Sequence, residues 1–261
     1  KHINSHHIRL HTFAQTPKKV KSPYLSIEEV ISIAKEGEVQ GCHEALFTLG
    51  DKPELRYKAA RDALKLMGYK TTNEYLGACA KAVLDNTSLM PHLNSGCLTK
   101  DEITSLKPLS GSMGLMVESL SSKLTEKGQP HHGSPDKDPE FRIKTLIEAG
   151  KQKVPFTTGI LIGIGETRLE RLESLFEIAE LHKKYDHIQE VIVQNFKPKS
   201  NTLMAHSPEP SFDELLWTIA MARLILPADI SLQVPPNLNL KYLDRLFTSG
   251  INDLGGISPV T

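Results

Sequence analysis

The segment Phe156-Thr157-Thr158-Gly159-Ile160-Leu161-Ile162-Gly163-Ile164-Gly165-Glu166-Thr167 runs from a nearly unbroken apolar stretch through three glycines to Thr167, which with Glu170 makes a capping-box signature. A short continuous apolar run fits a parallel strand buried on both faces, here delivered through a tight turn into a helix. Gly159, Gly163 and Gly165 are spaced four and two apart, which is not the dinucleotide fingerprint. Glycines there let a ligand approach the backbone, and helix N-terminal amides receive polar atoms; a ligand-free turn is the plainer alternative.

The same rhythm extends in both directions. Apolar runs at 45–49, 113–117, 191–193 and 230–234 read as further strands, and helices are predicted near 26–37, 53–68, 73–85, from Thr99, 118–128, 139–150, from Thr167 and 211–227. Alternation of this kind builds βα units and a parallel sheet. Polar or glycine-rich residues follow nearly every proposed strand: Gly50-Asp51, Glu118, 163–166, Gln194-Asn195 and Pro235-Pro236-Asn237. A barrel assembles its site from many strand ends, whereas an open sheet concentrates it at one switch point, so the expected fold is α/β, a (β/α)8 TIM-type barrel. Residues 1–16 hold His2, His6, His7 and His11 but no apolar run, so they read as an irregular N-terminal segment before a barrel domain over 17–261 that is partial or lacks its first strand.

The 261 residues carry 31 Lys and Arg against 31 Asp and Glu with no long block of either sign, which removes any electrostatic case for nucleic acid or an anionic membrane. No run approaches the roughly 20 apolar residues of a membrane span, and no basic-then-apolar leader opens the chain, so a cytoplasmic protein acting on small molecules is expected. Cys42, Cys79 and Cys97 are too far apart for a close metal motif and read as structural thiols.

Several strand-end residues are candidates for chemistry. Asp51, after Gly50, either accepts from a ligand amine or caps the helix begun at Pro53. Glu118 is placed to bind ribose hydroxyls or an ammonium, or else sits in a salt bridge; Met113 and Met116 are core fillers. Asn195 and Asn237 offer amide donors and acceptors suited to the edge of a purine- or pyrimidine-like ring, or satisfy their own loops. His132 and Lys137, in a polar loop, contact substrate or move a proton, or are simply solvated. Asp253 and Ser258 lie near the end of a final strand and turn and are possible substrate contacts. The N-terminal histidines fit no metal-ligand spacing, and no metal residue is assigned.

Six segments, taken in order, resemble one family: Thr12-Phe13-Ala14, the stretches 44–54, 112–118, 155–167 and 189–196, and Gly250-Ile251-Asn252-Asp253. The chain is similar over 12–261 to the radical S-adenosylmethionine domain of 7,8-didemethyl-8-hydroxy-5-deazariboflavin (FO) synthases, in the CofG-type subunit or the matching half of a fused enzyme. The resemblance implies a lyase of deazaflavin biosynthesis. It would use S-adenosylmethionine and a four-iron four-sulfur cluster, a reductant such as ferredoxin or flavodoxin, and an adduct of tyrosine and 5-amino-6-ribitylaminouracil supplied by a partner subunit or domain. It further implies that Gly50 and Asp51 receive the methionyl amine, that Glu118 holds the cosubstrate, and that Gly159, Gly163 and Glu166 belong to the strand supporting adenine. His132, Lys137, Asn195, Asn237 and Asp253 fall on the substrate side. The family's three cluster cysteines would stand at Asn4, Ile8 and His11, and the chain has no cysteine before Cys42. Thiolates are the ligands such clusters need. Two functions therefore stay open: an FO synthase-type enzyme, and a noncatalytic barrel that binds S-adenosylmethionine or substrate without a cluster.

Overall fold

The computed structural model describes the backbone of residues 7–11 and residues 22–200 and 202–255, the side chain of Leu240 excepted. Its contacts group into two compact units, residues 1–114 with 256–261, and residues 115–255.

The first unit runs β1 (His7–His11), α1 (Ile27–Val39), β2 (Glu44–Thr48), α2 (Pro53–Arg56), α3 (Lys58–Met67), α4 (Thr72–Asn86), β3 (Met90–Asn94), α5 (Lys100–Leu106) and β4 (Ser112–Gly114). Its strands pair in chain order and all in parallel. Ala45, Phe47, Leu93 and Met113 are buried along them, and Val30, Ala34, Ala80 and Val83 are among the buried helix residues that cover the unit's core. The second unit runs α6 (Pro139–Lys151), β5 (Phe156–Ile162), α7 (Arg168–Tyr185), β6 (Ile188–Asn195), α8 (Phe212–Ile225), β7 (Ser231–Gln233) and α9 (Leu243–Thr248). β5, β6 and β7 are again parallel neighbours in sequence order. Ahead of β5, Leu115 donates to the Thr157 carbonyl and Glu118 bridges to Ile160.

Helix starts follow the capping chemistry. Ser26 with Glu29, Thr99 with Glu102 and Thr167 with Glu170 all form reciprocal capping boxes, each satisfying two amides that the first helical turn cannot.

The structure departs from the sequence reading in several places. The start is not wholly irregular: His7–His11 pairs residue for residue with β2, a neighbour's hydrogen bonds overriding weak local β-pattern. β3 went unrecognised because Pro91 and His92 interrupt its apolar character; His92 is buried there with its Nδ1 2.7 Å from the Ser112 hydroxyl. No α-helix forms over 118–128, where only the 3-10 turn Ser122–Thr125 is found. Glu118 lies at φ 65, which ends helical geometry at once; the Ser119 hydroxyl then accepts from the Ser121 amide, and the Ser121 hydroxyl donates to Glu170 on α7. The short α9 had no periodic signal. Of the proposed last strand, the described part makes one isolated bridge, Gln233 to Asp253.

Candidate functional site

Each unit presents its own cluster at strand ends. In the first, the chain leaves β2 through Gly50 and Asp51, and Lys52 takes a left-handed conformation at φ 38 before Pro53 opens α2. Asp51 Oδ2 accepts from the Cys97 amide at 2.5 Å, and its side chain lies so close over Gly96, at φ +85, that a Cβ there would collide with the carboxylate. Asp51 therefore ties the β2 loop to the loop after β3. By contrast a Cβ built on Gly50 meets nothing within 4 Å, so packing does not demand the glycine. Lys52 reaches Glu102 at 2.9 Å, and Glu102 also takes Asn73 Nδ2 at 2.9 Å.

In the second unit Glu118 is fixed before its side chain is considered. Its amide donates to the Gly159 carbonyl at 3.0 Å and its carbonyl accepts from Leu161 at 2.9 Å, which locks the residue beside β5 despite the positive φ. Its carboxylate, 13% exposed, meets Lys137 on Oε1 and His131 Nε2 on Oε2 at 3.1 Å, with Arg142 at 3.5 Å. Arg142 is itself held by the carbonyls of Met116 and Asp136. Burial alone would raise the Glu118 carboxyl; the His131 hydrogen bond and the Lys137 and Arg142 charges overcome it and bring it to about 2. The site keeps an ionised carboxylate at a strand end.

The structure thus brings Glu118 and Lys137 together, while His132 is exposed and its neighbour His131, buried, makes the contact. The sequence reading chose His132 and missed His131, since nothing in the local sequence distinguishes the two. Glu166 is almost wholly buried, with one oxygen on the Gly163 amide and the other on the Ile164 amide, both at 2.8 Å, and Arg171 Nε at 2.7 Å. These bonds hold the glycine turn in shape. Gly163, at φ +89, lies against the Pro210 ring, and a Cβ on Gly159 would strike the Ile192 carbonyl. Asp253 accepts from Gln233 Nε2 at 3.3 Å and from the Gly255 amide at 2.8 Å. Asn237 is exposed, whereas Asn239, which the sequence reading passed over, is buried and donates to Asn195 Oδ1 at 2.8 Å. Ser258, like the side chains of Ile8 and His11, lies outside the described residues.

Glu190 was also missed. It stands on β6 opposite Thr157, whose hydroxyl donates to it at 2.8 Å, and its carboxyl is raised by burial and by nearby Asp253, against the hydrogen bonds from Thr157 and Gln233.

No family model matches the chain. The 7,8-didemethyl-8-hydroxy-5-deazariboflavin synthase of Methanopyrus kandleri is 50% identical over 250 residues, spanning 96% of this chain and 75% of that protein. The chain belongs to this FO synthase family. The FO synthase of Nocardia farcinica is also 50% identical, over 256 residues, but there the chain spans only 30% of the relative's length. Among solved structures, the FeFe-hydrogenase maturase HydG from Carboxydothermus hydrogenoformans superposes with a TM-score of 0.75 at 19% identity, covering 97% of this chain and 58% of that one. Methylornithine synthase (PylB) gives 0.73 at 16%, covering 98% and 72%. At such identities the likeness establishes the fold, an α/β barrel of the TIM-like class in partial form. No helix among the described residues is long and apolar enough to cross a membrane.

FO synthase family membership implies S-adenosylmethionine and a four-iron four-sulfur cluster in general terms. Two of the described cysteines do not fit the cluster. Cys42 and Cys79 are buried, their thiols pushed up by burial, Cys79 to about 11, which is the reverse of a ligating thiolate. The one trio of His, Asp, Glu or Cys close enough to share an ion among the described residues is His182, Asp186 and Asp229, without sulfur. There His182 Nδ1 accepts from the Ile188 amide at 3.2 Å, so Nε2 carries the proton and has no lone pair for a metal.

Proposed function

We propose that residues 17–261 form the S-adenosylmethionine-binding barrel of an FO synthase, a cytoplasmic lyase-type enzyme of deazaflavin biosynthesis. Its substrate is the adduct of tyrosine and 5-amino-6-ribitylaminouracil, and its partner is a second synthase subunit or fused domain. The reading is carried by the 50% identity to the Methanopyrus synthase across 96% of the chain. That the chain spans 30% of the Nocardia relative supports a partner domain.

In this reading Gly50 leaves open room for the methionyl end of the cosubstrate and Asp51 takes its amine. Glu118, ionised at neutral pH, receives the cosubstrate's hydroxyls, and Gly159 and Gly163 let adenine lie against the backbone that Glu166 holds. Lys137, His132 and Asp253 face the substrate as proton carriers, and Asn237 and Ser258 bind its polar atoms. Lys137 is the group most readily drawn from Glu118 to an anionic substrate, because it is the more exposed of the pair. No step is assigned to a metal.

The test joins the chain with its partner under anaerobic reconstitution with iron and sulfide, then adds S-adenosylmethionine and reduced flavodoxin. Deazaflavin and 5′-deoxyadenosine are the expected products. Binding of S-adenosylmethionine by an iron-free chain that makes neither product would instead establish the noncatalytic barrel.

A further inference from the structure

β6 has two faces. Val191, Val193 and Asn195 are buried on one of them, and Glu190, Ile192 and Gln194 alternate with them on the other. Residues in register across parallel strands share a face, so Thr157 of β5 lies beside Glu190, Gln233 of β7 beside Ile192, and Asp253 beside Gln233. The pairing gathers two carboxyls, a hydroxyl and a carboxamide on one side of the sheet. Glu190 is the member of this group to which the proposed function gives no role.

The Thr157 hydroxyl donates to Glu190 Oε2 at 2.8 Å. Gln233, only 5% exposed, donates from Nε2 to Asp253 Oδ2 at 3.3 Å, and the same carboxamide acts on Glu190. Its carbonyl end is packed against Gly255, at φ +72, where a Cβ would stand 2.9 Å from Oε1. The NH2 end is thereby turned toward the acids, while the Gly255 amide holds Asp253 Oδ1 at 2.8 Å. Unlike Glu118, this group has donors but no cation. No lysine, arginine or histidine among the described residues forms an ion pair with Glu190 or Asp253, and Asp253 is the titratable neighbour that bears on Glu190. Two carboxylates joined through a neutral amide repel each other with nothing to offset the second charge, and burial adds to the cost. One proton on the pair removes both penalties. Burial first, and Asp253 beside it, favour the neutral form of Glu190 against the Thr157 and Gln233 hydrogen bonds.

We propose that Glu190 stores the proton of this pair, as a positioning residue that acts through Gln233 and leaves the negative charge on Asp253. The inference rests on the reading of Asp253 as a proton carrier, and adds the group that keeps Asp253 free to accept. Once Glu190 also ionises, the site carries a second, uncompensated charge.

Infrared spectra of the full chain in D2O, without iron or S-adenosylmethionine, follow the stretch of neutral carboxylic acids as pH rises. Compared with Glu190→Gln, wild type should show one extra neutral carboxyl that persists above the range in which exposed carboxyls ionise. Asp253→Asn removes the neighbouring charge and should move its disappearance down by about one pH unit, whereas Thr157→Val removes a donor to the carboxylate and should move it up. A missing difference band, or one that ignores both substitutions, overturns the proposal. Glu190→Gln is then read in the anaerobic synthase assay. Wild-type product formation should fall as pH rises through the midpoint of the band, and Glu190→Gln, fixed in a neutral form, should flatten that fall whatever its absolute rate. A profile of unchanged shape, or no product from Glu190→Gln when wild type is active, overturns the positioning role. A wild type that makes no product counts against the synthase reading instead, and the carboxyl band then decides the proposal alone.

Discussion

Lys137 and Glu118 lie nineteen residues apart in sequence and share a short ion pair at the end of the segment preceding β5. Glu118 would otherwise be a buried carboxylate carrying its charge with only His131 and a more distant Arg142 beside it. Lys137→Met should destabilise the second unit by about 3 kcal/mol at neutral pH, the usual loss on breaking one side of a buried pair. The Glu118 carboxyl is held at about 2 against an ordinary 4.5, so its contribution is complete above about 4.5 and disappears as pH falls toward 2. Urea melts of wild type and Lys137→Met should therefore differ at pH 7 and converge in strong acid; a constant gap would mean that the ion pair is not the cause.

Glu166 separates a supporting role from direct ligand contact. Glu166→Gln removes a charge facing Arg171 and one acceptor under the glycine turn, and should cost about 3 kcal/mol in thermal or urea unfolding. S-adenosylmethionine affinity should fall with the loosened turn. Unchanged stability with lost affinity would make Glu166 a ligand contact instead.

Two glycine substitutions should have opposite signatures. Gly159→Ala drives a methyl into the Ile192 carbonyl and should destabilise by about 1–3 kcal/mol whatever ligand is present. Gly50→Ala meets open space and should leave the unfolding midpoint unchanged while weakening S-adenosylmethionine binding. Equal effects on stability would refute the contrast.

His187 is buried, donates from Nε2 to the Leu146 carbonyl at 3.0 Å, and has an Nδ1 with no partner. Burial pushes its pKa down from 6.5 to about 4. The unfolded chain then binds the proton more readily between those values, so stability is whole above about 6.5 and declines by up to about 1.4 kcal/mol per pH unit as pH falls toward 4. His187→Phe should flatten that decline in melts across pH 4 to 7.

The fold was legible wherever a strand was long, apolar and followed by a cap: β5, with Thr167 and Glu170 after it, is the clearest case. It was hidden where pairing rather than composition makes the strand, as in β1 and in β3 with its proline. The place of Glu118 at a strand end was readable, because placement at a sheet terminus depends on local pattern. The partners that define its chemistry, His131 and Arg142, arrive through a loop and a helix whose approach no local pattern encodes. Asn195 shows the same limit: its place at the end of β6 was readable, but which face of the sheet it serves follows from the register with β5, and its partner Asn239 from a loop three-dimensionally folded onto it.

β6 is in effect a party wall. Odd-numbered residues from Val191 to Asn195 look into one room and even-numbered ones from Glu190 to Gln194 into the other. Point substitutions can refurnish either room separately, whereas inserting or deleting a single residue within the strand would exchange their contents and ruin both at once.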